Sequence, residues 1–415
     1  MHEYEWEEQV DDFLETTTES ALWVLVAYGW WKPSSSPEDV ELGFMTCTID
    51  NFPDVVAFLM RQTPKQYSFN FGASIPLRQM EALRKKFSAI QVRTLAVRGL
   101  DPHDKWHIVA LRQICSKYAA ARWLERGVAL VDICGFTTTT SPRQLAQLLS
   151  LSRAAHSAYL RLKGASTAAD YEAGHELPLD FCRSTTGDGY YIWNSVFGQH
   201  GDAAVLALLL QIMSVIEQRR AEPREGTVRI RAAFTVGEIY QFEDQGIQRD
   251  GRAISQYIVG PATNYLARVL TDARPGQLLL GDFGRRAAGD EGAEIGPQEL
   301  LDEALDMLRF GLDSDLADRS GACFIPDHKL RIVDKHGQTH YCYNVGAHIP
   351  NRIGESRFVQ PVGLTVDETP ALDGFTFRPP APAMSPTEKS SEATTTEADT
   401  EATDLGECQG EETEA

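Results

Sequence analysis

The chain has 415 residues, 43% of them hydrophobic, which is too long for one ordinary core and apolar enough to fill two. A formal charge of −20 argues against a surface built for phosphate polymers, so no nucleic-acid partner is expected. Seven cysteines, scattered from Cys47 to Cys408 without a close pair, make neither a disulfide framework nor a zinc motif and fit a reduced, cytoplasmic compartment.

The N-terminus, MHEYEWEEQVDDF, is acidic and lacks the basic start of a secretory signal. The most apolar run, Ala21 to Trp31, is about half the length that crosses a bilayer, so it reads as a buried strand or helix and no membrane span is expected. A Pro-Ser loop (Lys32 to Glu38) follows, then TCTIDNF, a helical pattern through Val55 to Arg61, a helix over Leu77 to Phe87 and a strand over Ile90 to Val97. Residues 1–100 thus form a small α/β region of unknown role, with a sensor or a dimerisation module as architectural analogies. Over 101–126 the spacing predicts one connecting helix, entered at Asp101-Pro102 and ended by Gly127. Its apolar residues Trp106, Val109, Leu111, Ile114, Tyr118, Ala121 and Leu124 recur every two to four positions. Both packing on its own domain and pairing with a second copy are open to it.

The stretch GVALVDICGFTTTT, Gly127 to Thr140, comes next. Val128 to Val131 is an apolar run of the kind buried on both faces of a sheet, and it delivers Asp132 to a turn containing Gly135. A carboxylate there suits a hard cation, and the glycine lets backbone N–H groups approach phosphate oxygens, although Asp before Gly is also an ordinary turn former or helix cap. Ser141 to Leu162 predicts a helix capped by Ser141 with Pro142 at its first position. Lys163 to Pro178 is a polar loop, in which His175 lies near Glu172 and Glu176 without a second His at ligand spacing and is read as solvated.

Ser184 to Trp193, STTGDGYYIW, sets Asp188 between two glycines ahead of a β-prone run, equally the signature of a hairpin turn. Gly201 to Arg220 is a helix with an almost continuous apolar set from Ala203 to Ile216, hence buried. Between Ile239 and Ile254 the chain is charged and glycine-containing: a loop over a ligand or a plain turn. Val259 to Leu270, VGPATNYLARVL, opens on Gly-Pro and becomes a helix on which Asn264 and Arg268 share a face. Leu300 to Leu316 predicts a short helix. Residues 348–378 are an extended segment, and 379–415, almost free of large apolar residues and rich in acids, form a disordered acidic tail.

In this order, VALVDICGFT, TTGDGYY and GPATNYLAR resemble the first metal-binding strand and turn, the second metal-aspartate hairpin and the asparagine–arginine helix of the class III nucleotidyl cyclase catalytic domain. RIRAAFTVGEI (Arg229 to Ile239) is similar to that family's intervening core strand. RPGQLLLGD (Arg274 to Asp282) and RIVDKHGQTHYCYNV (Arg331 to Val345) are similar to its closing strands. The resemblance implies an α+β fold, with a ferredoxin-like βαββαβ core in a catalytic domain over 127–347. It implies two divalent metal ions per site, Mn²⁺ or Mg²⁺, held by Asp132, Asp188 and the backbone carbonyl of Ile133. The N–H groups of Gly135, Phe136 and Thr137 would meet the triphosphate, with Lys335 or its neighbour His336 as the triphosphate-binding cation. Asn264, orienting the ribose, and Arg268, stabilising the reacting α-phosphate, would come from the other subunit of a homodimer with active sites at the interface.

Two positions depart from the purine-specific members of that family. Those carry a lysine three residues before the hairpin glycine and an acidic or small polar residue three before the glycine of the Asn helix; here the positions hold Ser184 and Tyr257. Neither supplies the ammonium and carboxylate that match an adenine edge, and Tyr257 occupies room a two-ring base needs. In this the chain resembles the pyrimidine cyclases of bacterial antiphage (Pycsar) systems, which make cyclic UMP or cyclic CMP for a separate effector. Hydroxyls or Arg183 would serve O2 and O4 of uracil, and Ser184 would accept from the amino group of cytosine, so UTP is the preferred substrate and CTP the alternative. A purine cyclase with another mode of base recognition and a cyclase-like module that binds nucleotide without turning it over are the remaining readings.

Overall fold

A computed structural model describes residues 5–18, 23–31, 39–62, 68–69, 73–165, 177–221, 228–244, 255–286, 293–309, 321–324, 329–350 and 356–359. The expected acidic tail, the His175 loop, most of the expected extended segment and positions 245–254 lie outside them.

In the first third the elements are α1 (Glu5–Thr18), β1 (Trp23–Trp31), β2 (Asp39–Thr48), α2 (Phe52–Gln62), β3 (Ser68–Phe69), β4 (Ala73–Ser74), α3 (Leu77–Lys86), β5 (Ile90–Arg98) and α4 (Lys105–Lys117). The middle holds β6 (Ala120–Ile133), α5 (Ser141–Ala165), β7 (Phe181–Thr185), β8 (Gly189–Asn194), α6 (Gln199–Ala221), β9 (Ile230–Asp244), β10 (Ser255–Val259) and α7 (Pro261–Thr271). Then come β11 (Leu278–Gly281), β12 (Arg285–Arg286), β13 (Glu294–Ile295), α8 (Pro297–Arg309), β14 (Gly321–Phe324), β15 (Leu330–Val333), β16 (Thr339–Pro350) and β17 (Ser356–Val359).

The larger sheet runs β14-β16-β11-β9-β6-β8-β7. Within it β9, β6, β8 and β7 are successive antiparallel neighbours, while α5 connects β6 to β7 and α6 connects β8 to β9. That is the expected βαββαβ arrangement. Strand periodicity divides β6 between two cores: Ala129, Val131 and Ile133 lie under α5, α6 and α8, while Val128 and Leu130 lie under α7. Helix α6 is long and apolar enough to cross a membrane by length and composition, but 89% of its most apolar window is buried between its neighbours and the sheet. Each large aliphatic side chain it buries contributes about 1.5–3 kcal/mol.

The expected connecting helix over 101–126 is corrected by the structure. Asp104, whose carboxylate accepts from the Trp106 N–H at 2.8 Å, caps α4, which ends at Lys117. Ala120 to Arg126 instead belong to β6, where Ala120 faces Phe242 and Arg126 faces Gly237 of β9. Spacings of two to four fit a helix and a strand alike over so short a piece, and the long partner strand decides between them.

The smaller sheet, β4-β1-β2-β5, is mainly antiparallel. The acidic N-terminus forms α1, which buries Trp6, Val10 and Leu14 in one core with Leu111 and Ile114 of α4. This region is joined to the large sheet through β3, which pairs with Arg122 and Trp123, and through the Leu25 N–H to Tyr118 carbonyl bond of 2.8 Å. The Ser116 hydroxyl also donates to Glu243 Oε2 at 2.7 Å.

Candidate active site

Asp132 lies at the end of β6, directly opposite Gly189 of β8, so the register of one strand pair sets it beside Asp188 in the β7–β8 turn. The Ile133 N–H donates to the Asp188 carbonyl at 3.1 Å and locks that arrangement. Gly189 is required: an added Cβ would stand 1.9 Å from the Val131 carbonyl oxygen. The neighbouring turn needs the φ of +98° that Gly187 supplies. Ile133 is itself buried, so it offers the site only its backbone.

On the other edge of β6, Asp132 faces Arg231 of β9, and Arg231 Nε donates to Asp132 Oδ2 at 2.8 Å. Its Nη1 reaches the carbonyls of Thr271 (3.1 Å) and Ala273 (3.4 Å) at the end of α7. Burial, together with the Asp188 carboxylate, pushes the Asp132 carboxyl above its usual range, and Arg231 only partly opposes them. Two carboxylates held together at the mouth of a strand pair are hard oxygen donors for which one guanidinium is too little charge. Such a set fits Mg²⁺ or Mn²⁺, with substrate phosphates completing the coordination. Among the described residues no group of three or more His, Cys, Asp or Glu side chains is placed to hold a metal ion.

After Asp132 the chain turns through Gly135, at φ +72°, into a short 3-10 turn over Phe136–Thr138. The Thr138 N–H and hydroxyl are both spent on the Gly135 carbonyl, at 3.2 and 2.7 Å. The first N–H groups of such a turn have no partner within it by geometry.

Asn264 and Arg268 lie one turn apart on α7, whose other face buries Ala262, Leu266, Val269 and Leu270. Gly260 opens the helix at φ +142°, where a Cβ would press 2.9 Å from the Glu238 carbonyl oxygen. Asn264 is exposed; Arg268 Nε lies 3.6 Å from Asp334 Oδ2 in the β15–β16 turn. Lys335 and His336 are the next two residues of that turn and both are exposed. No contact joins Asn264 or Arg268 to the Asp132–Asp188 pair among the described residues.

Arg183, Ser184 and Tyr257, chosen from sequence as base-reading positions, come together. With Phe181, Cys182, Thr185 and Gln256 they line one cavity of about 380 Å³ between β7 and β10, within the range of small-molecule sites. Tyr257 stacks on Phe242 at 5.4 Å and 17°, and Ser184 is only 8% exposed. The Arg183 guanidinium sits over the Tyr190 ring at 5.3 Å.

Three residues of this neighbourhood were not singled out from sequence: Arg231, Asp334 and Gln256. Arg231 carried a signal, a charge inside the otherwise apolar strand start IRAAF, as did Asp334, which opens an Asp-Lys-His-Gly turn.

No family model matches the sequence, and no curated protein sequence matches it. Among solved structures the chain is similar to the guanylate cyclase domain of RhGC from Catenaria anguillulae in complex with GTP, at 15% identity and a TM-score of 0.31. That match covers 54% of this chain and 97% of that one. It is also similar to the adenylyl cyclase CyaB from P. aeruginosa, at 13% identity and a TM-score of 0.31 over 57% of this chain and 98% of that one. The guanylyl cyclase Cya2 matches at 12% identity and 0.31, over 54% and 92%. Likeness at this level says nothing of the substrate.

Proposed function

We propose that this chain is a nucleotidyl cyclase whose preferred substrate is UTP, with CTP as the alternative. The ribose 3′-oxygen forms a bond to the α-phosphorus, the bond from that phosphorus to the α,β-bridging oxygen breaks, and the hydroxyl proton passes to solvent. The products are the 3′,5′-cyclic monophosphate and diphosphate. The observation that carries this reading is the pairing of Asp132 with Gly189, which sets Asp132 and Asp188 side by side at one strand end.

Divalent ions held by Asp132, Asp188 and the Ile133 carbonyl would supply the charge that acidifies the 3′-hydroxyl and neutralises the triphosphate. Arg231 would fix one oxygen of Asp132 and leave the other turned to Asp188. The N–H groups of Gly135, Phe136 and Thr137 would hold phosphate oxygens, with Lys335 as a further cation. Asn264 would orient the ribose, and Arg268 would stabilise charge on the α-phosphate as it reacts. Asn264 and Arg268 would serve the site of a second copy, so the working unit is a homodimer with two equivalent sites.

The cavity between β7 and β10 would take the base. Tyr257 narrows it and Ser184 offers a hydroxyl, which favours a single ring over a purine. By the pyrimidine-cyclase resemblance, the product would be a second messenger read by a separate effector in antiphage defence.

The test is to incubate the purified protein with ATP, GTP, CTP and UTP in Mn²⁺ and identify products by mass spectrometry. Cyclic UMP is expected. Cyclic AMP or GMP would keep the metal pair and overturn the base pocket, and nucleotide binding without diphosphate release would leave a binding module.

A further inference from the structure

We propose that Asp334 is a positioning residue that locks Arg268 and the Lys335 turn into one rigid half-site, an inference that rests on the cyclase reading above. Asp334 is buried to 4% side-chain exposure although it sits in a surface turn. Its Oδ1 accepts the N–H groups of His336 (2.8 Å) and Gln338 (3.0 Å), which fold the turn around it. Its Oδ2 faces His340 Nε2 at 3.3 Å and Arg268 Nε at 3.6 Å. The turn closes through Gly337, at φ +77°, with the Gly337 N–H on the Asp334 carbonyl at 2.9 Å.

A second set of contacts ties the same two elements together. The Tyr265 ring, one turn before Arg268 on α7, meets the His340 ring edge-on at 5.7 Å, and the Tyr265 hydroxyl donates to the Tyr341 carbonyl. Helix and hairpin therefore form one body with Asp334 at the joint. A guanidinium on a long flexible stem loses rotamer freedom only if something holds it, and a carboxylate already tied by two backbone N–H groups and a histidine can hold it without moving. Although burial alone would raise its pKa, those bonds and Arg268 outweigh burial and keep Asp334 ionised. The carboxylate reaches no substrate itself; it sets where Arg268 and Lys335 stand.

The test uses the full chain. Asp334→Asn keeps an oxygen for the two N–H groups of the turn but presents no charge to Arg268. Its kcat should fall about ten- to a hundredfold with a smaller change in KM, the size expected when a catalytic group is misplaced by an ångström or so. Mixed dimers say which half is damaged. Combined with Asp132→Ala chains, Asp334→Asn chains should regain about a quarter of wild-type activity, from one sound site in half the dimers. Combined with Arg268→Ala chains they should regain nothing. Wild-type kcat in Asp334→Asn, or rescue by Arg268→Ala, would overturn the proposal.

The mixture of Asp132→Ala with Arg268→Ala tests the dimer separately, and an inactive wild-type protein would tell against the cyclase reading alone. The pair itself is tested without turnover by thermal unfolding of Asp334→Asn, Arg268→Gln and the double variant. The losses should be clearly non-additive; strict additivity would refute the pairing. If Asp334→Asn does not fold, His340→Gln, which loosens the same tether, should give the same rescue pattern with a smaller loss, and rescue by Arg268→Ala would again refute it.

Discussion

Asp132 and Asp334 are both buried aspartates that meet an arginine, yet the molecule sets their charges in opposite directions. At Asp132 burial, with the Asp188 carboxylate close by, outweighs the Arg231 bond on one oxygen and pushes the carboxyl up. Asp334 has two backbone N–H groups, His340 and Arg268, and is held down to about 2. The first is left short of positive charge, as the proposed cation site requires; the second is satisfied by its own chain, as the proposed positioning role requires. The two halves of the proposed site therefore differ in kind, one built to bind and one built to hold still.

The largest expected effect breaks the first half: Asp132→Ala or Asp188→Ala should lower turnover by about a thousandfold or more while leaving the dimer intact, as seen by product assay and sedimentation. Activity near wild type in either would end the cyclase reading. Next, Arg268→Ala should cost about a hundred- to a thousandfold, mostly in kcat, because its charge acts on the transition state. A loss confined to KM would make Arg268 a simple binding residue and erase the contrast.

In the cavity between β7 and β10, the proposed base site, Tyr257→Ser should shift the ratio of purine to pyrimidine product by about tenfold in favour of purines, as measured by competition between UTP and ATP. An unchanged ratio would show that Tyr257 does not limit the ring size.

Smaller effects sharpen the comparison through stability. Asp132 holds its proton more tightly folded than unfolded, so its favourable contribution exists at low pH and is lost as pH rises through its raised value. At neutral pH the ionised group is a cost, and Asp132→Asn should unfold about 1–3 °C higher than wild type without metal, yet gain nothing from added Mn²⁺. For Asp334 the sign is reversed. Its contribution is complete above the ordinary aspartate pKa of about 4 and is lost as pH falls toward about 2. Asp334→Asn should flatten the stability profile in that window, followed by circular dichroism; an unaltered profile would mean the carboxylate is not held by its partners.

Much of this site was legible in the chain. GVALVDICG and TTGDGYY announce their strands, their acids and the glycines at the turns because those signals are local: an apolar run, a carboxylate, and backbone angles open to glycine. The helix of Asn264 and Arg268 was equally plain from its Gly-Pro start. Arg231 was not, because it stands 99 residues from the aspartate it holds. The acidic N-terminus, read only as lacking a signal, proved to be α1 once its Trp6, Val10 and Leu14 stripe had α4 to bury against.

By itself the sequence determined what each short stretch could become: the turns, the buried helix α6, the acids at strand ends and a bulky residue at position 257. Only the tertiary structure decided that Ala120 to Arg126 extend β6 instead of α4, and that Arg231 rather than a solvent ion faces Asp132. It also brought Ser184 and Tyr257 to the walls of one cavity and set Asp334 behind Arg268. The reason is one of range. Turn and helix preferences act over a few residues, whereas a cross-strand neighbour is set by register, which exists only after distant strands have paired.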